Sequence, residues 1–426
     1  MITAQQQSEA LLLSTLVQLI VMIGAARLLN LLFQRCRQPG VIGEIVAGLA
    51  LGPSLFGHFW PGLSADIFGA RPAPVIVILS QIGLILLMFQ IGMSFEFGQL
   101  RAGRARRAVI PLAAVSVLVP LGAGIGLGVL SAPVFAGSIA VPVYALFCGV
   151  AMAITAVPIL GRILAGYGLA SHELGVLAIS AAALNDVAGW LLLAAVSAIA
   201  TASFAPAHTA LQLAGVVGFA LVCLLLLRPA ANWLLRALPV RDSELPPTLL
   251  AITLIAVFTL GICTYKLGIF GIFGGFVAGL LVHDDHAFTT AWRRQVGGFV
   301  TVFFLPIFFT YTGLHTNLLG LTCRTDWLWV VIFTGVAMAS KILPVALVSL
   351  LSGYSRHAAL LLGVLMNTRA LMELIVLNIG LETGFLPQKI FTMLVIMAVA
   401  TTVMAGPALT FVLPRLGLAV PSDLEA

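Results

Sequence analysis

Residues 174–200 read LGVLAISAAALNDVAGWLLLAAVSAIA, an apolar run with one carboxylate, Asp186, near its middle. As a helix rising about 1.5 Å per residue, such a run is long enough to cross a hydrocarbon core of about 30 Å. A charge at that depth is expensive to place and by default marks an ion or proton pathway. Asp186 is therefore expected to be the ion-binding carboxylate of a membrane transport protein.

The rest of the chain is consistent with a membrane setting. Of its 426 residues, 61% are hydrophobic and 8% are charged, against about 25% charged in soluble domains. The apolar runs are continuous rather than alternating, which argues against a strand barrel. With so few charges, the net +6 is no sign of nucleic acid; it reflects where Lys and Arg sit relative to the bilayer. The five cysteines are scattered and odd in number, so free thiols are expected. The first run, 11–33, is too long for a cleavable leader, and its basic residues Arg35 and Arg37 follow it. It is expected to be a first helix with its N-terminus outside, and no soluble regulatory domain is expected after the last.

Apolar runs bounded by Gly, Pro and charge fall at 11–33, 39–57, 74–95, 108–130, 139–164, 173–200, 208–235, 246–266, 268–282, 294–314, 327–351, 356–381 and 388–415. This predicts an all-α polytopic membrane protein with about thirteen transmembrane helices. The basic residues then collect on one side, with only Arg71, Lys266, Arg324 and Lys389 opposite and Arg27, Lys341 and Arg369 inside spans. That asymmetry places the C-terminus in the cytoplasm. The run Arg101–Arg107 is topogenic and faces lipid headgroups. Among the acids, only Glu44, Asp186 and Glu373 lie well inside spans.

Two spans are interrupted. The fifth reads AMAITAVPILGR over 151–162, and Pro158 removes a backbone donor and disfavours helix at Val157. Pro158 alone is equally read as an ordinary kink. The twelfth reads LMNTRALME over 365–373, placing Asn367, Thr368, Arg369 and Glu373 in an apolar helix. Paired interruptions, one in each half, point to inverted repeats whose broken helices cross near the midplane. Spans one to six and eight to thirteen would be the repeats.

The motifs GVIGEIVAG (40–48), LGPSLFG (51–57), the run 155–164, Asn185-Asp186, FLPIFF (304–309), Thr312-Gly313-Leu314 and NTRALMELIVLNIG (367–380) follow in this order. Together they resemble the monovalent cation:proton antiporter-2 family of the wider cation/proton antiporter superfamily. The last run is similar to plant cation/proton exchangers and their bacterial relatives. The resemblance implies an Na+/H+ antiporter-like fold and a homodimer in a bacterial inner membrane. Residues 1–107 and 246–323 would be scaffold and dimerisation helices. Residues 108–200 and 324–426 would be the core that carries the site, with 201–245 as a linker helix. Two departures stand out. No long cytoplasmic tail is matched, and the site reads Asn-Asp rather than Asp-Asp, a variant that the family associates with electroneutral exchange.

Antiport needs one site that holds either a cation or a proton. A single carboxylate suffices when it changes charge near the working pH. Ionised Asp186 would hold Na+ or K+, with Thr155 and freed backbone carbonyls adding oxygen ligands. Asn185, about 100° around the helix, would bond the crossing region. Lys341 has two readings. It could snorkel from a helix end, or, as the family match implies, sit at the crossing and neutralise half-helix ends or tune Asp186. Arg369 and Glu373, four apart, are read as a mutual ion pair in preference to direct cation binding. Glu44 is read as a structural hydrogen-bonder, and Arg162 as a helix cap or a partner of a core carboxylate. His283-Asp284-Asp285-His286 is read as a solvated turn rather than a metal or pH-sensing cluster. No cofactor beyond the transported cation and proton is expected.

Other functions fit less well. An intramembrane aspartyl protease needs a second membrane aspartate, which is missing, and no span carries a His-rich metalloprotease motif. A Na+-coupled organic anion symporter would want a wider polar cavity. A K+ efflux channel needs no proton-competent carboxylate.

Overall fold

The computed structural model describes residues 4–35, 38, 40–69, 74–93, 103–169, 172–201, 214–215, 218–240, 244–267, 271–369 and 371–418. Among these, helices dominate and no β-strand forms. Arg37, Arg71, Arg101, Arg241 and the start of the seventh span lie outside the described residues, as do the side chains of Arg104, Arg106, Pro158 and Arg162.

In chain order the helices are α1 (Ala4–Arg35), α2 (Gly40–Leu51), α3 (Phe56–Phe59), α4 (Pro61–Phe68), α5 (Pro74–Met93), α6 (Gly103–Phe135), α7 (Val141–Ala153), α8 (Val157–Gly166) and α9 (Glu173–Thr201). Then come α10 (Gly218–Ala237), α11 (Pro247–Lys266), α12 (Gly271–Val282), α13 (His286–Trp292), α14 (Leu305–His315) and α15 (Arg324–Leu351). The last four are α16 (Arg356–Met366), α17 (Leu371–Glu382), α18 (Gln388–Val403) and α19 (Ala405–Val412). Among the described residues, ten candidate spans are long and apolar enough to cross a bilayer; α7, α12 and α16 are shorter apolar helices. In this solvent every backbone polar group must be satisfied internally, which favours helix throughout.

Proline accompanies two of the irregular turns. Pro229 and Pro306 each follow a π-helical turn, Cys223–Leu227 and Val300–Phe304. A proline removes one donor and crowds the carbonyl four residues back, and a widened turn relieves both.

The chain forms two compact units. The first comprises 1–24, 60–96 and 197–311, and the second 25–59, 97–196 and 312–426. In the first, α5 packs on α12 and α12 on α11. Phe89 meets Trp292 edge-on, with centroids 4.6 Å apart, inside that unit. In the second, α6 lies along α7, and α15 packs against α6, α16 and α18. The α6/α7 contact is close because Gly124 faces the Cys148 carbonyl and Gly149, and Gly128 faces Ala145. Small residues let helix backbones approach where lipid gives no hydrophobic drive. The two breaks lie in this second unit, between α7 and α8 and between α16 and α17.

Candidate functional site

Residues 154–156 are non-helical between α7 and α8, with Ile154 extended, and Pro158 falls in the first turn of α8. A proline is at home there, since the early amides of a helix have no helical partner. The second break holds Asn367, Thr368 and Arg369 after α16. The two breaks bond each other. Ala156 N–H donates to Thr368 O at 3.1 Å, and the Thr155 hydroxyl donates to Met366 O at 3.1 Å.

Asn185 of α9 ties this crossing to α6. Its Oδ1 accepts from Thr155 N–H at 3.2 Å, and its Nδ2 donates to Ser116 Oγ at 3.0 Å. Asp186, the next residue, is 1% exposed, and neither carboxylate oxygen has a hydrogen-bond partner among the described residues. Its electrostatic surroundings are Lys341 and the amide of Val157, the first residue of α8. A helix N-terminus carries partial positive charge, which suits a carboxylate.

The opposite pole, the C-terminal end of α7, is met by two cations. Lys341 of α15 donates from Nζ to Ala153 O at 2.5 Å, and Arg369 donates to Ala151 O at 3.2 Å. Lys341 is fully buried, so it does not snorkel to an interface. Arg369 also lies 3.7 Å from Glu373 Oε2, four residues on in the first turn of α17. Lys341 is within electrostatic reach of Arg369, Glu373 and Asp186. Two acids and two bases thus share one buried cluster. Asn367 is buried beside them in sequence, with both its side-chain polar atoms unpartnered among the described residues. Chemically, the cluster offers a buried carboxylate and a hydroxyl oxygen beside two broken helices, a set suited to a hard monovalent cation or a proton.

Ser116 and Thr402 went unmarked in the sequence. Thr402 of α18 bonds the backbone of Arg369.

The remaining candidates lie elsewhere. Glu44 accepts from Asn30 Nδ2 at 2.7 Å inside the second unit. In the 283–286 turn, Asp285 caps α13 by accepting from Phe288 N–H at 2.9 Å. Asp284 pairs with Arg228 at 2.6 Å, and that hydrogen bond holds its carboxyl below the usual range. No group of three or more metal-ligating His, Cys, Asp or Glu occurs among the described residues.

Comparison with known proteins gives a consistent picture. The family model for the transmembrane region of sodium/hydrogen exchangers matches residues 19–415. The chain is 38% identical to the Na+/H+ antiporter NhaS4 of Synechocystis, over 95% of this chain and 98% of that one. It is 33% identical to cation/H+ antiporter 18 of Arabidopsis thaliana, over 92% of this chain and 48% of that protein. It therefore spans nearly all of the cyanobacterial relative but about half of the plant one. The fold resembles the sodium proton antiporter MjNhaP1 of Methanocaldococcus jannaschii, with a TM-score of 0.67, 16% identity and coverage of 96% and 99%.

Proposed function

The chain belongs to the sodium/hydrogen exchanger family, and from that premise we propose that Asp186 is the single site at which it exchanges a monovalent cation for a proton. It is an integral membrane antiporter, not an enzyme. The observation that carries the site assignment is the state of Asp186: buried, in the middle of an apolar helix beside the first break, with Lys341 and the amide of Val157 as its electrostatic surroundings. An ionised carboxylate in such surroundings is strongly under-satisfied at this depth. A cation or a proton relieves it, and the two exclude each other.

In this scheme Thr155 contributes its hydroxyl oxygen to the cation, since its proton is already given to Met366 O. Asn185 fixes the first break by accepting from Thr155 N–H. Lys341 and Arg369 neutralise the C-terminal end of α7, while Pro158, Asn367 and Thr368 keep the two helices broken. Glu373 balances Arg369. Site access alternates between the two faces, with 108–200 and 324–426 as the transporting core, 1–107 and 246–323 as a dimerising scaffold, and 201–245 as linker. The basic residues' bias to one side supports an N-terminus outside and a C-terminus in the cytoplasm of a bacterial inner membrane.

The test is cation-evoked proton movement in proteoliposomes holding a pH-sensitive dye, with Na+, K+ and Li+ compared. Wild type is expected to exchange at least one of them, and Asp186→Asn to lose exchange. Full exchange in Asp186→Asn would refute the assignment.

A further inference from the structure

Arg369 lies in the second break, outside both helices: α16 ends at Met366 and α17 begins at Leu371. Unpaired backbone at this depth is costly, since no water is there to replace the missing bonds. One side chain serves both backbone groups of Arg369. The Thr402 hydroxyl of α18 accepts from Arg369 N–H at 3.2 Å and lies 2.9 Å from Arg369 O, to which it donates. The same hydroxyl lies 2.8 Å from Ala398 O of its own helix. A hydroxyl has one proton and two lone pairs. It therefore goes on accepting from Arg369 N–H whichever carbonyl receives its proton.

What hangs on this anchor is the site itself. The guanidinium of Arg369 reaches Ala151 O and Glu373. The adjoining carbonyl, Thr368 O, receives Ala156 N–H at the crossing. Thr401, the neighbour of Thr402, makes an internal contrast. It is equally buried, yet among the described residues it bonds only Met397 O and Ala398 O of its own helix.

We infer that Thr402 is a positioning residue for the exchange site: its hydroxyl fixes the broken segment at Arg369 and, through it, the crossing beside Asp186. Thr402 touches neither ion. The inference rests on the antiport function proposed above.

The experiment reconstitutes the full chain in proteoliposomes and follows dye-reported proton movement across a range of Na+ and K+ concentrations. Wild type is compared with Thr402→Val, Thr402→Ser and Thr401→Val. Thr402→Val keeps the shape and removes both bonds, so the apparent KM for the cation is expected to rise about tenfold, with the maximal rate changed less. Thr402→Ser and Thr401→Val are expected to stay near wild type. Wild-type affinity in Thr402→Val, or an equal loss in Thr401→Val, overturns the inference while leaving the antiport function standing. No exchange in wild type overturns the function and the inference together. Should Thr402→Val fail to fold, Thr402→Ala and Thr402→Ser are compared instead, and an equal KM in those two overturns the inference.

Discussion

Glu373 and Asp186 are both buried carboxylates, but they keep different company. Glu373 sits 3.7 Å from the Arg369 guanidinium; Asp186 instead has the charge of Lys341 and the amide of Val157 as its surroundings. Arg369→Ala would strand Glu373 and remove the donor to Ala151 O, and breaking one side of a buried pair costs about 3–5 kcal/mol. Thermal unfolding in detergent should show that loss, and Arg369→Met with Glu373→Leu should recover most of it. Recovery is the informative arm, since it separates a stranded charge from lost packing. Asn185 gives a second prediction. Asn185→Leu leaves Thr155 N–H without its acceptor, a cost of about 1–3 kcal/mol. Ser116→Ala leaves Ser116 O, 3.4 Å from Asn185 Nδ2, and should cost under ~1 kcal/mol. Titrating the cation dependence of exchange should rank the two variants in that order. The ionisable members of this cluster were legible in the sequence because charge in an apolar run is conspicuous. Ser116 and Thr402 were not, because a lone hydroxyl in such a run commonly bonds its own helix, as Thr253 and Ser349 do here.

At the scale of elements, a break is easier to read than its limits. Pro158 drew attention to the fifth span, yet the non-helical residues are 154–156 and the proline belongs to the first turn of α8. The polar cluster 367–369 falls inside the second break itself. Helix-to-helix proximity was hidden, since a glycine in a membrane run reads as flexibility or filler until its neighbour is known. Gly313 near the end of α14 is a case in point. A Cβ there would strike the Gly48 carbonyl and the Leu49 amide of α2, and one on Gly52 would strike Gly313 O. The obstacles are backbone, so they cannot swing aside. Gly313→Val is expected to lower the midpoint of thermal unfolding and the yield of monodisperse protein. Gly126→Ala on α6, where a Cβ meets nothing within 4 Å, is the matched control. It should be neutral or stabilising by up to about 1 kcal/mol. An unchanged midpoint in Gly313→Val would mean that α2 and α14 do not cross this closely.

For the whole molecule, the charges of the cluster bear on stoichiometry. Asp186 and Glu373 against Lys341 and Arg369 sum to zero when all four are ionised and the site is empty. A bound monovalent cation adds one positive charge, and a proton on Asp186 adds the same. If Lys341, Arg369 and Glu373 keep their charges through the cycle, the loaded site carries equal charge in both directions, and one cation moves for one proton. Exchange then stops when the cation ratio across the membrane equals the proton ratio, at any potential. A surplus of one charge per cycle would instead shift that null point about fifty-fold per 100 mV, since a charge crossing 100 mV is worth about 2.3 kcal/mol. Proteoliposomes clamped at two potentials, with the null ratio read from the direction of proton flux, should give one value at both. A null ratio that moves with potential would show that another member of the cluster, Lys341 or Glu373, takes up or gives off a proton during transport. Repeating the measurement in Lys341→Met and Glu373→Gln would then identify it, because only the titrating residue's variant would return the null point to independence of potential.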